Sequence, residues 1–372
     1  MNFDDLGIKR LFSDALKKQG IKTPTAIQEQ VIPNILNGKD LIVQGETGTG
    51  KTLAFLLPLI QLIDPKVAEV QGLILVPTRE LALQITTVAK GLADLHDIHL
   101  LSIYGGKSTA DQLKKLARKP QLIVATPGRL VDHLGQENLA LSDIRFFVLD
   151  EADQLLLSGF KPDIEQIMMD MPGSRQTLFF SATLPANIKK IAYRYTYNPE
   201  YISIGENTSD PSLIEQVVVP TTDRQKFPAL QKVLMADNPY LAIIFCRTKR
   251  RAGELLEKMK KYKFNVDVIH SDIPQNKRER ILRRFRKGDL QFLIATDVAA
   301  RGLDIHFITH IYNFDMPETV ETYVHRIGRT GRAGASGYSC TFVAEHDEDQ
   351  LYDIEKHYGE AIKKRIVKIG KD

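Results

Sequence analysis

Short, near-continuous apolar runs recur along the whole chain with helical stretches between them, and this alternation most limits what it can fold into. Leu41–Gln44, Leu73–Val76, Leu122–Ala125, Phe146–Leu149 and Thr177–Phe180 mostly lack the apolar–polar alternation of a half-exposed strand. Strands buried on both faces of a parallel sheet read this way. Helical periodicity fills intervals such as Glu80–Leu95 and Pro162–Met169. Repeated β–α–β units predict a doubly wound α/β fold. The pattern then restarts, with strands expected at Leu241–Cys246, Val266–His270, Phe292–Ala295 and Ile308–Phe314 and helices at Thr248–Tyr262 and Pro274–Lys287. Between the halves, Gly205–Ser212 is polar, carries Gly and Pro and has no apolar period, so it reads as a flexible linker. The expectation is two α/β domains, residues 1–206 and 214–372, joined by residues 207–213.

A length of 372 residues suits two domains, and 43% hydrophobic residues suffice for two buried cores. Disordered, collagen-like and disulfide-stapled classes are excluded. Cys246 and Cys340 are the only cysteines and form no CxxC pair, which disfavours a zinc site and fits a reducing cytoplasm. No apolar run reaches the ~18 residues of a membrane span, and the N-terminus does not read as a secretory signal. The charge is uneven. Residues 1–206 carry 22 Lys and Arg against 23 Asp and Glu, and residues 207–372 carry 28 against 23. Charge alone leaves a polyanionic partner and an ordinary solvated surface equally open.

Gly45-Glu46-Thr47-Gly48-Thr49-Gly50-Lys51-Thr52 fits G-x-x-x-x-G-K-[ST] and lies between an expected strand and an apolar helix, the context of a P-loop. Glycines let backbone N–H groups face phosphates, and the helix N-terminus adds positive potential. Lys51 would reach the β- and γ-phosphates, and Thr52 would place its hydroxyl on Mg²⁺. Such a site needs a second carboxylate for the metal. Asp150 ends an apolar strand where one is expected, and Glu151 beside it can orient and deprotonate an attacking water. Alone, this acidic group could equally be a helix cap. Joined to a P-loop it points to hydrolysis of a nucleoside triphosphate.

At these residues the chain resembles the DEAD-box RNA helicases, whose name Asp150-Glu151-Ala152-Asp153 spells. The resemblance runs from Phe3 to about Arg332 and keeps the family's motif order. It includes Pro77-Thr78-Arg79-Glu80-Leu81-Ala82, Tyr104-Gly105-Gly106, Thr126-Pro127-Gly128-Arg129 and Ser181-Ala182-Thr183. In the second half it includes Ala295-Thr296-Asp297 through Arg301-Gly302-Leu303-Asp304, and His325-Arg326-Ile327-Gly328-Arg329-Thr330-Gly331-Arg332.

The resemblance implies two RecA-like domains that bind ATP with Mg²⁺ and single-stranded RNA. It implies Arg329 and Arg332 as arginine fingers and Asp304, after Gly302, as a contact to the ribose. Gly20–Gln28 resembles the Q motif, which implies that Ile21, Thr23, Gln28 and the upstream Phe3 meet the nucleotide. An amide such as Gln28 can accept from adenine N6–H and donate to N7. Ile21 stands where the family usually has an aromatic, and Gly45 where it usually has Ala. RNA-backbone contacts are implied for Thr78, Arg79, Gly105, Gly106, Thr126 and Arg129, and for Thr248, Gln275, Arg278, Thr296 and Arg301. Such contacts read no sequence. Asp153, Ser181, Thr183, His325 and Arg326 are implied to couple nucleotide and RNA binding.

The expected activity is therefore an ATP-dependent RNA helicase that opens short duplexes locally or remodels ribonucleoprotein complexes, acting as a cytoplasmic monomer. An ATP-gated RNA clamp and a DNA-acting helicase of the same superfamily are the rivals. The segment Lys277–Lys287 holds seven Lys and Arg against Glu279 alone, and a solvated helix face is its default reading.

Overall fold

A computed structural model describes residues 1–45, 48–106, 109–204, 214–300, 308–331 and 336–368. The chain divides into two compact units, Met1–Gly205 and Glu206–Asp372. The expected linker lies outside the described residues.

The first unit is built on seven parallel strands: β1 (Leu41–Gln44), β2 (Gly72–Leu75), β3 (Leu100–Ile103), β4 (Leu122–Ala125), β5 (Phe146–Leu149), β6 (Gln176–Ser181) and β7 (Glu200–Ser203). Their spatial order is β3-β4-β2-β5-β6-β1-β7. Successive strand residues enter opposite cores. Val43, Ile74, Val124, Val148 and Phe180 join one cluster, while Ile42, Leu73, Ile123, Phe147 and Phe179 join the other. Helices cover both faces, which is why the strands read as continuous apolar runs.

The second unit repeats the plan with β8 (Ile214–Pro220), β9 (Ala242–Phe245), β10 (Val266–Ile269), β11 (Phe292–Ala295), β12 (His310–Asn313), β13 (Gly337–Val343) and β14 (Lys363–Lys364). Their order is β10-β11-β9-β12-β13-β8-β14, again all parallel. The strands and helices expected from sequence are present, with ends shifted by one or two residues. The helix expected over Glu80–Leu95 runs Arg79–Ala93 and tightens into a 3₁₀ turn at Asp94–His96. Thr78 and Thr248 start the corresponding helices of the two units, their hydroxyls accepting from Leu81 N and Arg251 N at 3.2 Å each. Among the described residues no helix is long and apolar enough to cross a membrane.

Candidate functional site

The glycine loop leaves the end of β1, where Gly45 N donates to Ser181 O of β6 at 3.0 Å. Gly48 and Gly50 both take φ of +95°. A Cβ on Gly50 would meet Gln28 Nε2 at 2.6 Å and Thr25 Oγ1 at 2.9 Å, so only glycine fits there. A Cβ on Gly45 would sit 3.0 Å from Ile27 Cδ1, a tight contact with the movable end of that side chain. The helix Lys51–Leu62 begins directly after the loop, and Lys51 Nζ donates to Gly45 O. Glu46 and Thr47 lie outside the described residues.

The Q-motif segment buttresses this loop. Thr25 Oγ1 donates to Thr49 O at 2.8 Å and Gln28 Nε2 to Gly50 O at 3.1 Å. Gln28 Oε1 accepts from Thr25 N at 2.9 Å. These bonds use one amide hydrogen and one lone pair of Gln28, and an amide has two of each. The remaining donor and acceptor are the pair that an adenine edge requires. Ile21 is half-buried and Thr23 exposed. Phe3, expected at the nucleotide, is 2% exposed and packs in the first core, with its carbonyl accepting from Leu6 N and Ile8 N.

Asp150 follows β5, two strands from β1, and is buried, with its oxygen Oδ1 accepting from Glu151 N at 2.9 Å. Burial pushes its carboxyl up to about 6. The Lys51 charge opposes this and the Glu151 charge adds to it. Glu151 holds φ of +50°, a strained backbone for a residue with a side chain. Its Oε2 is buried without a hydrogen-bond partner. Beside it, Asp153 is fully buried. Its Oδ2 accepts from both Thr183 N and Thr183 Oγ1, at 3.2 and 2.9 Å. Ser181 meets the backbone of Asp153 rather than its carboxylate: Ser181 Oγ accepts from Asp153 N at 3.3 Å and donates to Thr183 O at 2.6 Å.

The strand order sorts the remaining candidates. β3, β4 and β2 are adjacent and are followed by Gly105-Gly106, Thr126 with Arg129, and Thr78-Arg79. β5, β6 and β1 form the next group and are followed by Asp150-Glu151, Thr183 and the glycine loop. The residues expected to touch RNA thus lie on one half of the sheet's C-terminal edge, the RNA half, and those expected to touch the nucleotide lie on the other. Arg79 Nη1 donates to Gly105 O at 3.0 Å while its guanidinium lies 4.7 Å over the Tyr104 ring. Gly106 takes φ of +82°, and a Cβ there would lie 2.5 Å from Arg79 Nη1. Tyr104, which positions Arg79, was visible in its motif but carried no assigned role. Arg129 pairs with Asp132 at 3.3 Å.

The second sheet sorts in the same way. β10, β11 and β9 are adjacent and precede Gln275 with Arg278, Thr296, and Thr248. Gln275 Nε2 donates to Glu279 Oε1 at 3.2 Å. Arg278 Nη2 donates to Ala299 O at 3.4 Å, and Thr296 O accepts from Ala299 N, which brings Arg278 and Thr296 onto one turn. Helix Val320–Ile327 follows β12 and carries His325 and Arg326. Arg329 is 6% exposed, with its Nε donating to His325 O at 3.3 Å. Arg326, expected to couple nucleotide and RNA binding, has its guanidinium engaged within the second unit. It forks onto Asp297 at 2.6 and 2.8 Å and donates through Nη1 to Asn313 Oδ1 at 3.1 Å and Asp315 O at 2.7 Å. A guanidinium 2% exposed and bonded four times inside its own unit is a structural clamp. Arg301, Gly302, Asp304 and Arg332 lie outside the described residues.

A glycine loop between a buried parallel strand and a helix, with its lysine, a strand-end carboxylate and a second sheet of the same plan, places the chain in the class of two-unit P-loop proteins. The sequence matches the DEAD/DEAH box helicase family over residues 25–191 and the helicase conserved C-terminal domain over residues 225–334. It is 44% identical to the DEAD-box ATP-dependent RNA helicase CshA of Bacillus licheniformis, covering 96% of this chain and 73% of that one. It is also 44% identical to the ATP-dependent RNA helicase CshA of Listeria monocytogenes, covering 98% and 69%. Among solved structures it is similar to S. cerevisiae Dbp5 bound to RNA and ADP BeF3, with a TM-score of 0.89 and 30% identity over 98% of this chain and 95% of that one. The DEAD-box helicase Mss116 bound to ssRNA and UDP-BeF gives a TM-score of 0.88 and 30% identity over 100% and 81%. The chain belongs to the DEAD-box ATP-dependent RNA helicases.

Proposed function

We propose that this protein hydrolyses ATP in response to single-stranded RNA and uses the cycle to open short duplexes locally or to remodel ribonucleoprotein complexes. The observation that carries this reading is the buried, unpartnered Oε2 of Glu151 next to the buried Asp150. A carboxylate oxygen kept from water without a partner is placed to take a hydrogen bond from an attacking water and then its proton. Loop N–H groups and Lys51 would orient the phosphates. The side-chain amide of Gln28 would read the adenine edge.

A divalent cation fits the donor set. Asp150 and Thr52 offer only oxygen ligands, which suits Mg²⁺. Among the described residues no three His, Cys, Asp or Glu side chains form an all-protein metal site, so the cation would share its ligands with the nucleotide. When bound, Mg²⁺ neutralises charge on the β- and γ-phosphates. Arg329 and Arg332 would add positive charge to the transferring phosphoryl group. The RNA half of each sheet edge would hold one strand by its backbone, and the Ser181–Thr183–Asp153 cluster would link the two halves of the first edge.

The domain reading is residues 1–206 and 214–372 around a linker at 207–213. We read the protein as a monomer, and as cytoplasmic because its two buried, unpaired cysteines fit a reducing compartment. ATP turnover measured against a panel of RNAs and DNAs, together with release of a labelled duplex strand, tests the function. RNA-stimulated turnover with ATP-dependent strand release is expected. Turnover that DNA stimulates equally, or RNA retention without release, would overturn it.

A further inference from the structure

We infer that the outward face of helix Gln275–Arg286 is a second RNA-binding surface, which holds the sugar–phosphate backbone of RNA flanking the strand gripped by the core. The inference rests on the RNA-helicase reading above and extends it beyond Gln275 and Arg278.

Ile281, Leu282 and Phe285 bury one side of this helix in the second unit's core. The opposite side is exposed and carries Arg280, Arg283 and Lys287 at i, i+3 and i+7, a single line along the helix. At ~1.5 Å rise per residue the line is about 10 Å long. None of these three side chains forms an ion pair among the described residues. Arg284 on the flank finds Asp267 at 3.5 Å.

The preceding helix Lys249–Lys261 shows what a merely solvated charged helix looks like. It interleaves acids with its cations, as in Arg250 with Glu254 at 3.7 Å and Lys260 with Glu257 at 3.9 Å. Along Gln275–Arg286 and its C-cap, by contrast, Arg280, Arg283 and Lys287 sit three and four residues apart as like charges, an arrangement that destabilises a helix. A face that repels itself and, among the described residues, finds no acidic partner is explained by a polyanion that neutralises it. The same helix begins with Gln275 and Arg278 at the sheet edge read as the RNA half. It packs beside β10, the outermost strand of that half. RNA leaving the core over this edge would therefore run down a line of unpaired cations, bound without regard to sequence.

The test compares a short oligouridine with the same oligouridine extended by a hairpin, each bound in the presence of a non-hydrolysable ATP analogue over a salt series. The triple variant R280Q/R283Q/K287Q keeps helix-forming, exposed side chains. It is expected to lose about tenfold or more in affinity for the extended RNA, and its salt slope should fall by about 2–3, since each lost phosphate contact removes ~0.7–0.9. Affinity for the short RNA and RNA-stimulated ATP turnover on it should stay unchanged. The charge-retaining variant R280K/R283K should bind the extended RNA as the wild type does. Wild-type affinity and slope in the triple variant would overturn the inference and leave the face to an acidic protein partner. An equal loss on both RNAs would also overturn it, by making the face part of the core grip or of the fold. If the short RNA fails to stimulate ATP turnover even in the wild type, the helicase reading falls first, and this inference with it.

Discussion

Thr183 donates through both its backbone N–H and its hydroxyl to a single carboxylate oxygen of Asp153, at 3.2 and 2.9 Å. Asp153 lies in the first turn of the helix Ala152–Leu157, which starts directly after the residues proposed for hydrolysis, and Thr183 follows β6, the strand between those residues and the glycine loop. Thr183→Val removes the hydroxyl and keeps the shape and the N–H. A buried charged acceptor then loses one of its donors, at a cost of about 1–3 kcal/mol. The expected result is a lower melting temperature, ATP turnover retained within severalfold, and a much larger loss of strand release. Equal losses of turnover and strand release would refute the coupling role.

Glu151→Gln replaces the unpartnered carboxylate oxygen with an amide that cannot take a proton. A general base contributes ~10²–10⁴-fold, so turnover should fall by that factor. Titration with ATP and RNA should give near-wild-type affinities. Turnover close to wild type would remove Glu151 from the role.

Asp150 predicts a pH effect with a definite sign. Burial raises its carboxyl from the ordinary 3.8 to about 6 in the nucleotide-free fold. The folded state therefore binds a proton that the unfolded state has already released. That contribution to stability is fully present at acid pH and is lost as pH rises through about 6. Asp150→Asn never ionises. It should melt above the wild type at pH 7.5, by up to about 3 kcal/mol from the two-unit shift, and the gap should close near pH 4. The same variant should lose the extra stabilisation that Mg²⁺ gives to ATP binding. A variant less stable than wild type at pH 7.5 would show that the carboxylate is not held at a cost.

The first sheet shows what the sequence could and could not reveal. Its central strands β1, β2, β4, β5 and β6 are apolar on both faces, so hydrophobicity alone marks them. β3 alternates buried and half-buried residues, and β7 buries only Ile202, because each lies at a sheet edge with one side uncovered. In the second unit, β13 places buried Ser339 and Thr341 in its run, and β14 is only two lysines held by pairing to β8. No local pattern announces such strands. In the site, the glycine loop was legible because its chemistry is local. Arg326 was not. Its partners Asp297, Asn313 and Asp315 are brought to it by two separate chain segments, and only the fold shows that its guanidinium is already taken. The burial of Phe3 was illegible for the same reason, since spacing along the chain does not say which way a ring faces.

Gly48 and Gly50 separate two causes of glycine preference at the same φ of +95°. A Cβ on Gly48 meets nothing within 4 Å among the described residues, so Gly48→Ala should bear mainly the left-handed backbone cost of about 1–2 kcal/mol. A Cβ on Gly50 would collide with Gln28 Nε2 and Thr25 Oγ1, breaking the bonds that hold the loop to the Q motif. Gly50→Ala should therefore lower ATP affinity far more than Gly48→Ala, as nucleotide titration would show. Equal effects would mean that the buttress does not shape the loop.

Arg326→Lys tests whether the clamp is structural. Lysine keeps the charge but lacks the planar fork that meets Asp297 through two parallel bonds, and it cannot also reach Asn313 and Asp315. Breaking a buried ion pair by removing one partner costs about 3–5 kcal/mol, and a lysine that recovers part of the pairing should fall at or below the low end. The loss should appear as a lower melting temperature for the second unit, with ATP affinity unchanged, since the glycine loop belongs to the other unit. Asp297→Asn removes the opposite partner and should destabilise similarly. The double variant should cost less than the two singles together, because residues in contact share one interaction. Thermal unfolding of the four proteins gives this coupling directly. If Arg326→Lys leaves the melting temperature intact but abolishes RNA-stimulated turnover, Arg326 is a coupling residue after all, and the geometry around Asp297 must open during the cycle.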